Sequence, residues 1–421
     1  MKVISTRDSG LKLPLSEAIL LGLAKDGGLF VPTVWPQDLE NFSCENFHDY
    51  AYRALAPYFK DDALEDELPD FIQGAFNFPL KLNFYAEEHA LLELFHGPTH
   101  AFKDFGARFL AQVLSSIGQK TGELTILVAT SGDTGGAVAA AFHDRPGIKV
   151  VILYPKDRVS PLQEQQLTCW GNNIKSLRVD GSFDDCQRLV KEALQDPIFN
   201  KSHRTTSANS INIGRLLPQM AYHGFSASLF YQQVGKRPNL VIPSGNLGNA
   251  FAAFWAKKMA APIENILMAS NANNTIPEYL ASGTYRAQKP IATLANAMDV
   301  GDPSNMQRLL HLIPEIENLR KISGAVSVND SEINAEIARF YTQYQNMICP
   351  HTAVATFAAH KIFQDLPYLV SATAHPAKFL EVIEPILQQK IPLPTNLAKL
   401  LTKESKVLDI PPSLAALLEN I

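Results

Sequence analysis

TILVATSGDTGGAVAAAF, residues 125–142, is the stretch on which the fold turns. Residues 125–130 are almost continuously apolar, as a parallel strand buried on both faces is. Ser131-Gly132-Asp133-Thr134-Gly135-Gly136 follows, and then an alanine-rich segment of helical character. The pattern recurs: KVVILYP (149–155) leads into a polar segment, and NLVIPS (239–244) leads into GNLGNAFAAFWAKKM. Buried strands alternating with helices predict an α/β fold with parallel sheet from about residue 91 onward.

Bulk properties narrow the function. A chain of 421 residues exceeds the usual size of one domain, so two or three are expected. Its composition, 46% hydrophobic and 19% charged, is that of a soluble globular protein. A net charge of −5 without a long basic run argues against nucleic acid as a partner. The N-terminal MKVISTRDSGLKLP lacks the apolar stretch of a secretory signal, and no later run approaches the ~18 apolar residues of a membrane span, so a cytoplasmic location and no membrane partner are expected. Cys44, Cys169, Cys186 and Cys349 form no CxxC pair, no HExxH occurs, and Gly97-Pro98 separates His96 from His100; no metal site is expected. The acidic stretch 59–71 reads as a solvated face or loop, and the proline-punctuated tail from 391 as a peripheral packing segment.

The two small-residue loops, 131–136 and 244–249, carry chemistry. A strand, a small-residue loop and a helix start aim several free backbone N–H groups at one point, at the positive end of the helix dipole. Each loop is therefore a candidate anion cradle, placed where open α/β sheets bind ligands. Neither is GxxxxGK[ST] or GxGxxG, which disfavours an ordinary kinase or dehydrogenase. Ser207-Ala208-Asn209-Ser210-Ile211-Asn212-Ile213-Gly214-Arg215 adds hydroxyls, amides and a guanidinium, whose fork matches a phosphate. In HGPTHAFKDFG (96–106), Lys103 stands between Phe102 and Phe105 and ahead of Phe109, Leu110, Val113 and Leu114. Burial there would lower the lysine pKa, as an amine attacking a carbonyl requires. A desolvated lysine beside a glycine-rich phosphate cradle is the minimum kit for a pyridoxal phosphate Schiff base.

The segments GLAKDGGLFVP, LFHGPTHAFKDFGARF, ATSGDTGGAVAAAF, ILYPKDRVSPLQEQQ, SANSINIGRLLPQ, PSGNLGNAFA, NAMDVGDPSN and TAHPAKF, in this order over nearly the whole chain, resemble the threonine synthases of the longer bacterial and fungal branch. The resemblance implies the tryptophan-synthase-β-like fold (fold type II): two open parallel α/β sheets with an additional N-terminal domain. Expected divisions are an N-terminal domain at 1–90, an α/β domain with the lysine and SGDTG at 91–235, a second with the phosphate loop at 236–390, and the segment 391–421. Lys103 would be the Schiff-base lysine of pyridoxal 5'-phosphate. Gly245, Asn246, Leu247, Gly248 and Asn249 would wrap the coenzyme phosphate, and Thr373 would meet the pyridine nitrogen. Ser131, Thr134, Asn209, Ser210 and Arg215 would hold the substrate's carboxylate and phosphate. Asp133 would line the cofactor site, or cap its helix. Cys349 stands where the family commonly has an acidic residue, and His100 is expected as pocket wall. The implied reaction converts O-phospho-L-homoserine and water to L-threonine and phosphate, in a monomer or homodimer. The rivals are a phospho-lyase of the same fold releasing a 2-keto acid, and a catalytically silent homologue.

Overall fold

A computed structural model of the chain describes residues 1–421 except 38, 40, 41 and 43. The strand expected at 125–130 runs Leu124–Ala129, and every residue of it is buried. It belongs to a five-stranded parallel sheet whose order is Leu408–Ile410, Ile174–Val179, Ile148–Pro155, Leu124–Ala129, Thr205–Ser207. The second sheet, of six strands, runs Ser323–Ser327, Ile266–Ser270, Asn239–Pro243, Tyr368–Ala372, His89–Glu93, Lys81–Ala86. All its pairs are parallel except the last, an antiparallel edge hairpin. A small antiparallel sheet near the N-terminus joins Lys2–Ser5 to Leu13–Pro14 and Phe30–Pro32. The expected fold class is the observed one.

The sheets cross the expected domain edges. Residues 89–93 pair with the strand at 368–372 and not with the nearby strand at 124–129, and residues 81–86 pair with 89–93 in turn. The C-terminal tail is more than a peripheral segment, since Leu408–Ile410 extends the first sheet alongside Leu177–Val179. Arg178 clamps it through Nε and Nη2 to the Asp409 carboxylate at 2.6 and 3.1 Å. This strand was hidden because only Ile410 of its three residues is buried.

The acidic stretch is also only partly solvated. The buried Asp62 carboxylate accepts from Ser16 N and Oγ at 3.0 and 3.1 Å, supplying the side-chain cap that the helix Leu15–Leu21 lacks. Glu67 accepts from Ser116 Oγ and Lys120, tying the N-terminal region to the helix Lys103–Thr121. That helix explains the opening lysine's neighbours. Phe105 packs against Phe78, Phe47, Phe76 and Tyr222, with centroids 4.8–5.9 Å apart. Aromatic burial on this scale fixes the helix against its surroundings. The helix start, and so Lys103, is thereby set in place.

Candidate active site

The site forms where strands of both sheets end. His89–Glu93 and Tyr368–Ala372 are parallel neighbours, and the chain leaving them brings Lys103 and Thr373 together. Phe102 N donates to the Thr373 carbonyl at 2.8 Å, and His375 N to the His100 carbonyl at 3.0 Å. Asn239–Pro243, the next strand across, delivers the loop 244–249. From the other sheet, Leu124–Ala129 delivers 131–136, and Thr205–Ser207 delivers the segment ending at Arg215. Lys103, Ser131, Asp133, Thr134, Asn209, Ser210, Arg215, residues 245–249 and Thr373 all line one cavity. His100 does not line it; its backbone is left-handed (φ 56°) and its ring packs on His375. The expectation of His100 as pocket wall is thus corrected.

Lys103 keeps part of its surface open to the cavity, yet the enclosing protein desolvates its ammonium. Burial first, then the positive charge of Arg215, lowers its pKa to about 8, against a smaller opposing pull from Asp133. Its Nζ lies 4.3 Å from the Phe102 ring centroid. Lys103 makes no ion pair or hydrogen bond with any described residue.

In the loop 131–136, Thr130 is the cap: its Oγ1 accepts from Gly132 N at 3.0 Å and Gly135 N at 2.9 Å. Asp133, the first residue of the helix Asp133–Phe142, does not cap it. Its buried carboxylate instead meets Lys378 Nζ at 2.7 Å and Gln163 Nε2 at 3.2 Å. Burial alone would raise its pKa, but Lys378 outweighs that and the net shift is downward. Gly132 has φ 136°, and a Cβ there would lie 2.7 Å from Gln163 Cδ, so only glycine lets this glutamine reach Asp133.

The loop 244–249 is built differently. A Cβ on Gly245 would stand 2.7 Å from Met298 Cα. Leu247 takes a left-handed φ of 59°, an uncommon and strained setting for a branched residue at the start of the helix Gly248–Lys258. The Asn246 side chain is spent on the scaffold, donating to Ser210 Oγ at 3.0 Å and accepting from Ser304 N at 2.5 Å. Asn249 is the opposite case. Its Oδ1 accepts from Tyr222 Oη at 2.6 Å and His223 Nε2 at 2.7 Å, while its buried Nδ2 has no partner. A buried donor left unpaired is costly, and here it lies at the cavity wall.

Arg215 is 1% exposed. Its Nη1 donates to the Ala208 carbonyl at 2.5 Å, its Nε has no partner, and no carboxylate among the described residues pairs with it. Burial lowers its pKa to about 10, so it remains a cation near neutral pH. The Asn209 amide grips the backbone of Ala129 at both ends, 2.7 and 3.1 Å, and thereby positions the start of the loop 131–136. Ser210 Oγ accepts from Asn246 and Asn305.

Sequence reasoning missed Lys378, Gln163, Tyr222, His223, Asn305, Arg308 and His351. Arg308, fully buried, donates to the carbonyls of Phe30, Ser210 and Ile211, joining the N-terminal region to the site. His351 Nε2 accepts from Ala297 N at 3.1 Å, which places the neutral ring's proton on the partnerless Nδ1. Burial lowers its pKa to about 4, so the ring is neutral near pH 7. Cys349 caps the helix Pro350–Phe363 through Sγ, a structural task. Only long-range contact distinguishes these residues; none stands in a local pattern that marks it.

The residues fit pyridoxal phosphate. An amine without a counter-ion suits an aldehyde, and first-turn N–H groups plus the unpaired Asn249 amide suit a phosphate. No helix among the described residues is long and apolar enough to cross a membrane.

The family profile described as pyridoxal-phosphate dependent enzyme matches residues 79–368. Profiles for the threonine synthase N terminus and C-terminal region match 2–76 and 352–421. Threonine synthase of Serratia marcescens is 38% identical over 403 residues, covering 94% of each chain. The crystal structure of threonine synthase from Escherichia coli superposes with a TM-score of 0.93 at 36% identity, covering 100% of this chain and 99% of that one. Threonine synthase from Brucella melitensis with bound pyridoxal phosphate superposes at 0.91 with 31% identity, covering 100% and 98%.

Proposed function

The chain belongs to the threonine synthase family of pyridoxal-phosphate-dependent enzymes, and we propose on that basis that it converts O-phospho-L-homoserine and water to L-threonine and phosphate. When bound, pyridoxal 5'-phosphate supplies an aldehyde for a primary amine and a conjugated ring that delocalises the electron pair left by a broken C–H bond. In this reading the N–H groups of residues 245–249 and the Asn249 amide hold the coenzyme phosphate at the positive end of the helix Gly248–Lys258. Thr373 offers the ring nitrogen a hydroxyl, which, unlike a carboxylate, does not force that nitrogen to be protonated.

Lys103 would hold the coenzyme through its aldehyde, and its Nζ, when free, would be the base for the substrate's Cα proton. A pKa near 8 suits that task, because an appreciable fraction of the amine is neutral near physiological pH. Arg215 supplies a full positive charge for the substrate phosphate, with Ser131, Thr134 and Ser210 offering hydroxyls to phosphate and carboxylate. Asn209 contributes through its grip on Ala129. Phosphate still held at Arg215 after its release helps take a proton from the water that adds at Cβ.

One observation carries this reading: a single cavity is lined by an unpaired lysine, by the loop 244–249 at a helix start and by the guanidinium of Arg215, which this reading takes as two separate anion sites. A phosphorylated coenzyme acting on a phosphorylated substrate needs both. Incubating the purified holoenzyme with O-phospho-L-homoserine should release phosphate and L-threonine in equal amounts. Phosphate accompanied by a 2-keto acid would point to the lyase reading, and no phosphate at all to a silent homologue. Borohydride reduction followed by peptide mass analysis should place the coenzyme on Lys103. A cytoplasmic location and a monomeric or homodimeric state belong to the same proposal.

A further inference from the structure

Asp133 is a buried carboxylate in a cavity that also holds the reactive lysine. It feels both lysines, yet its bond is to Lys378, at 2.7 Å. The Lys378 side chain is fully buried, and its Nζ donates a further hydrogen bond to the Thr99 carbonyl at 3.0 Å. Gln166 Nε2 donates to the same carbonyl at 3.1 Å, while Thr99 Oγ1 and N donate to the buried Asp104 carboxylate at 2.7 and 2.9 Å. On the other side Gln163 donates to Asp133 through the gap left by Gly132. Lys378 is therefore held from behind by the segment that leads into Lys103, and it faces the carboxylate directly.

We propose that Lys378 is a positioning residue: it is the buried counter-ion that keeps the Asp133 carboxylate from pairing with Lys103, so that the Lys103 amine stays available to the coenzyme's aldehyde. A buried carboxylate without a counter-ion recruits the nearest cation. With Lys378 gone, that cation is Lys103, and an amine locked as an ammonium ion cannot attack a carbonyl. The other charged or titratable groups around the pair leave Lys378 in this role. Arg215 pairs with no described carboxylate, the His351 ring is neutral, the Cys349 thiol is raised by burial, and His100 and His375 are lowered to about 4 by burial. Asp104 is bonded to Thr99.

The inference rests on Lys103 being the coenzyme's anchor, as the proposed function has it. In the full chain stripped of coenzyme, the pH midpoint for acylation of Lys103 is read by peptide mass spectrometry. In the holoenzyme, the pH at which the visible absorbance of the Lys103-bound coenzyme titrates is read alongside. Lys378→Met should move both midpoints upward by a unit or more, whereas a purely structural lysine would lower the melting temperature and leave them in place. The double variant Asp133→Asn/Lys378→Met removes both charges of the pair and should return both midpoints to within half a unit of the parent. Unmoved midpoints in Lys378→Met overturn the proposal, as does a shift of a unit or more in the double variant. Should Lys378→Met not fold, Lys378→Gln, which removes the charge but keeps a hydrogen-bond donor, is read in its place with the same two outcomes. Failure of either variant would leave the borohydride assignment of Lys103 untouched.

Discussion

The loops 131–136 and 244–249 share one local grammar, a buried parallel strand, small residues and a helix start, yet they do opposite electrostatic work. The first brings a carboxylate into the cavity and needs a lysine 245 positions along the chain to compensate it. The second brings an amide whose oxygen is occupied by Tyr222 and His223, which leaves the N–H side free for an anion. Similar backbones thus acquire different chemistry from what the fold packs behind them. A loop's shape presents N–H groups, and the residues supporting it decide which charge it accepts.

The comparison can be broken most completely by removing what both loops face. Lys103→Ala should cut kcat by about a thousandfold or more, as loss of an essential base does, and abolish the coenzyme's visible absorbance; a coloured, active variant would refute the assignment. Asn249→Asp tests the contrast itself, since it gives the second loop a carboxylate without a lysine behind it. Coenzyme affinity should fall by about 3–4 kcal/mol, the scale of an uncompensated buried charge, measured as Kd by absorbance titration. Arg215→Ala should lower kcat/KM for phosphohomoserine by about 2–4 kcal/mol, with coenzyme Kd nearly unchanged; a Kd that rose as well would merge the two anion sites into one. Gly245→Ala drives a methyl group towards Met298 Cα, and we expect a loss of about 1–3 kcal/mol in stability from overpacking, read as a drop in Tm together with weaker coenzyme binding. Tyr222→Phe removes one of the two bonds that orient Asn249 and should weaken coenzyme binding by about 1 kcal/mol.

Much of the site was legible from residue order because its parts are local. Strand, loop and helix start are short-range patterns, and they place backbone N–H groups whatever packs nearby. Lys103 was legible because two phenylalanines and an apolar helix face beside a lysine already signal desolvation. Its partners were not. Lys378 lies inside the segment 373–379, where a single lysine after Pro-Ala reads as a surface residue, and Arg308 lies on a short helix with nothing local to mark it as buried. The edge strand Leu408–Ile410 escaped for the same reason, having one buried residue to announce it.

The amino-acid order alone determined the α/β class, the two loops at strand ends, the lysine proposed as the coenzyme's anchor and the resemblance that named a coenzyme and a substrate. These rest on burial patterns and steric needs that repeat within a few residues. Only the tertiary structure decided that Asp133 is paired and not a cap, that the Asn249 oxygen is taken while its Nδ2 is left unpaired, and that residues 89–93 join the sheet of 368–372. Charge compensation and hydrogen-bond satisfaction are settled by whichever groups the completed fold brings within about 3 Å. Sequence separation places no limit on which groups those are.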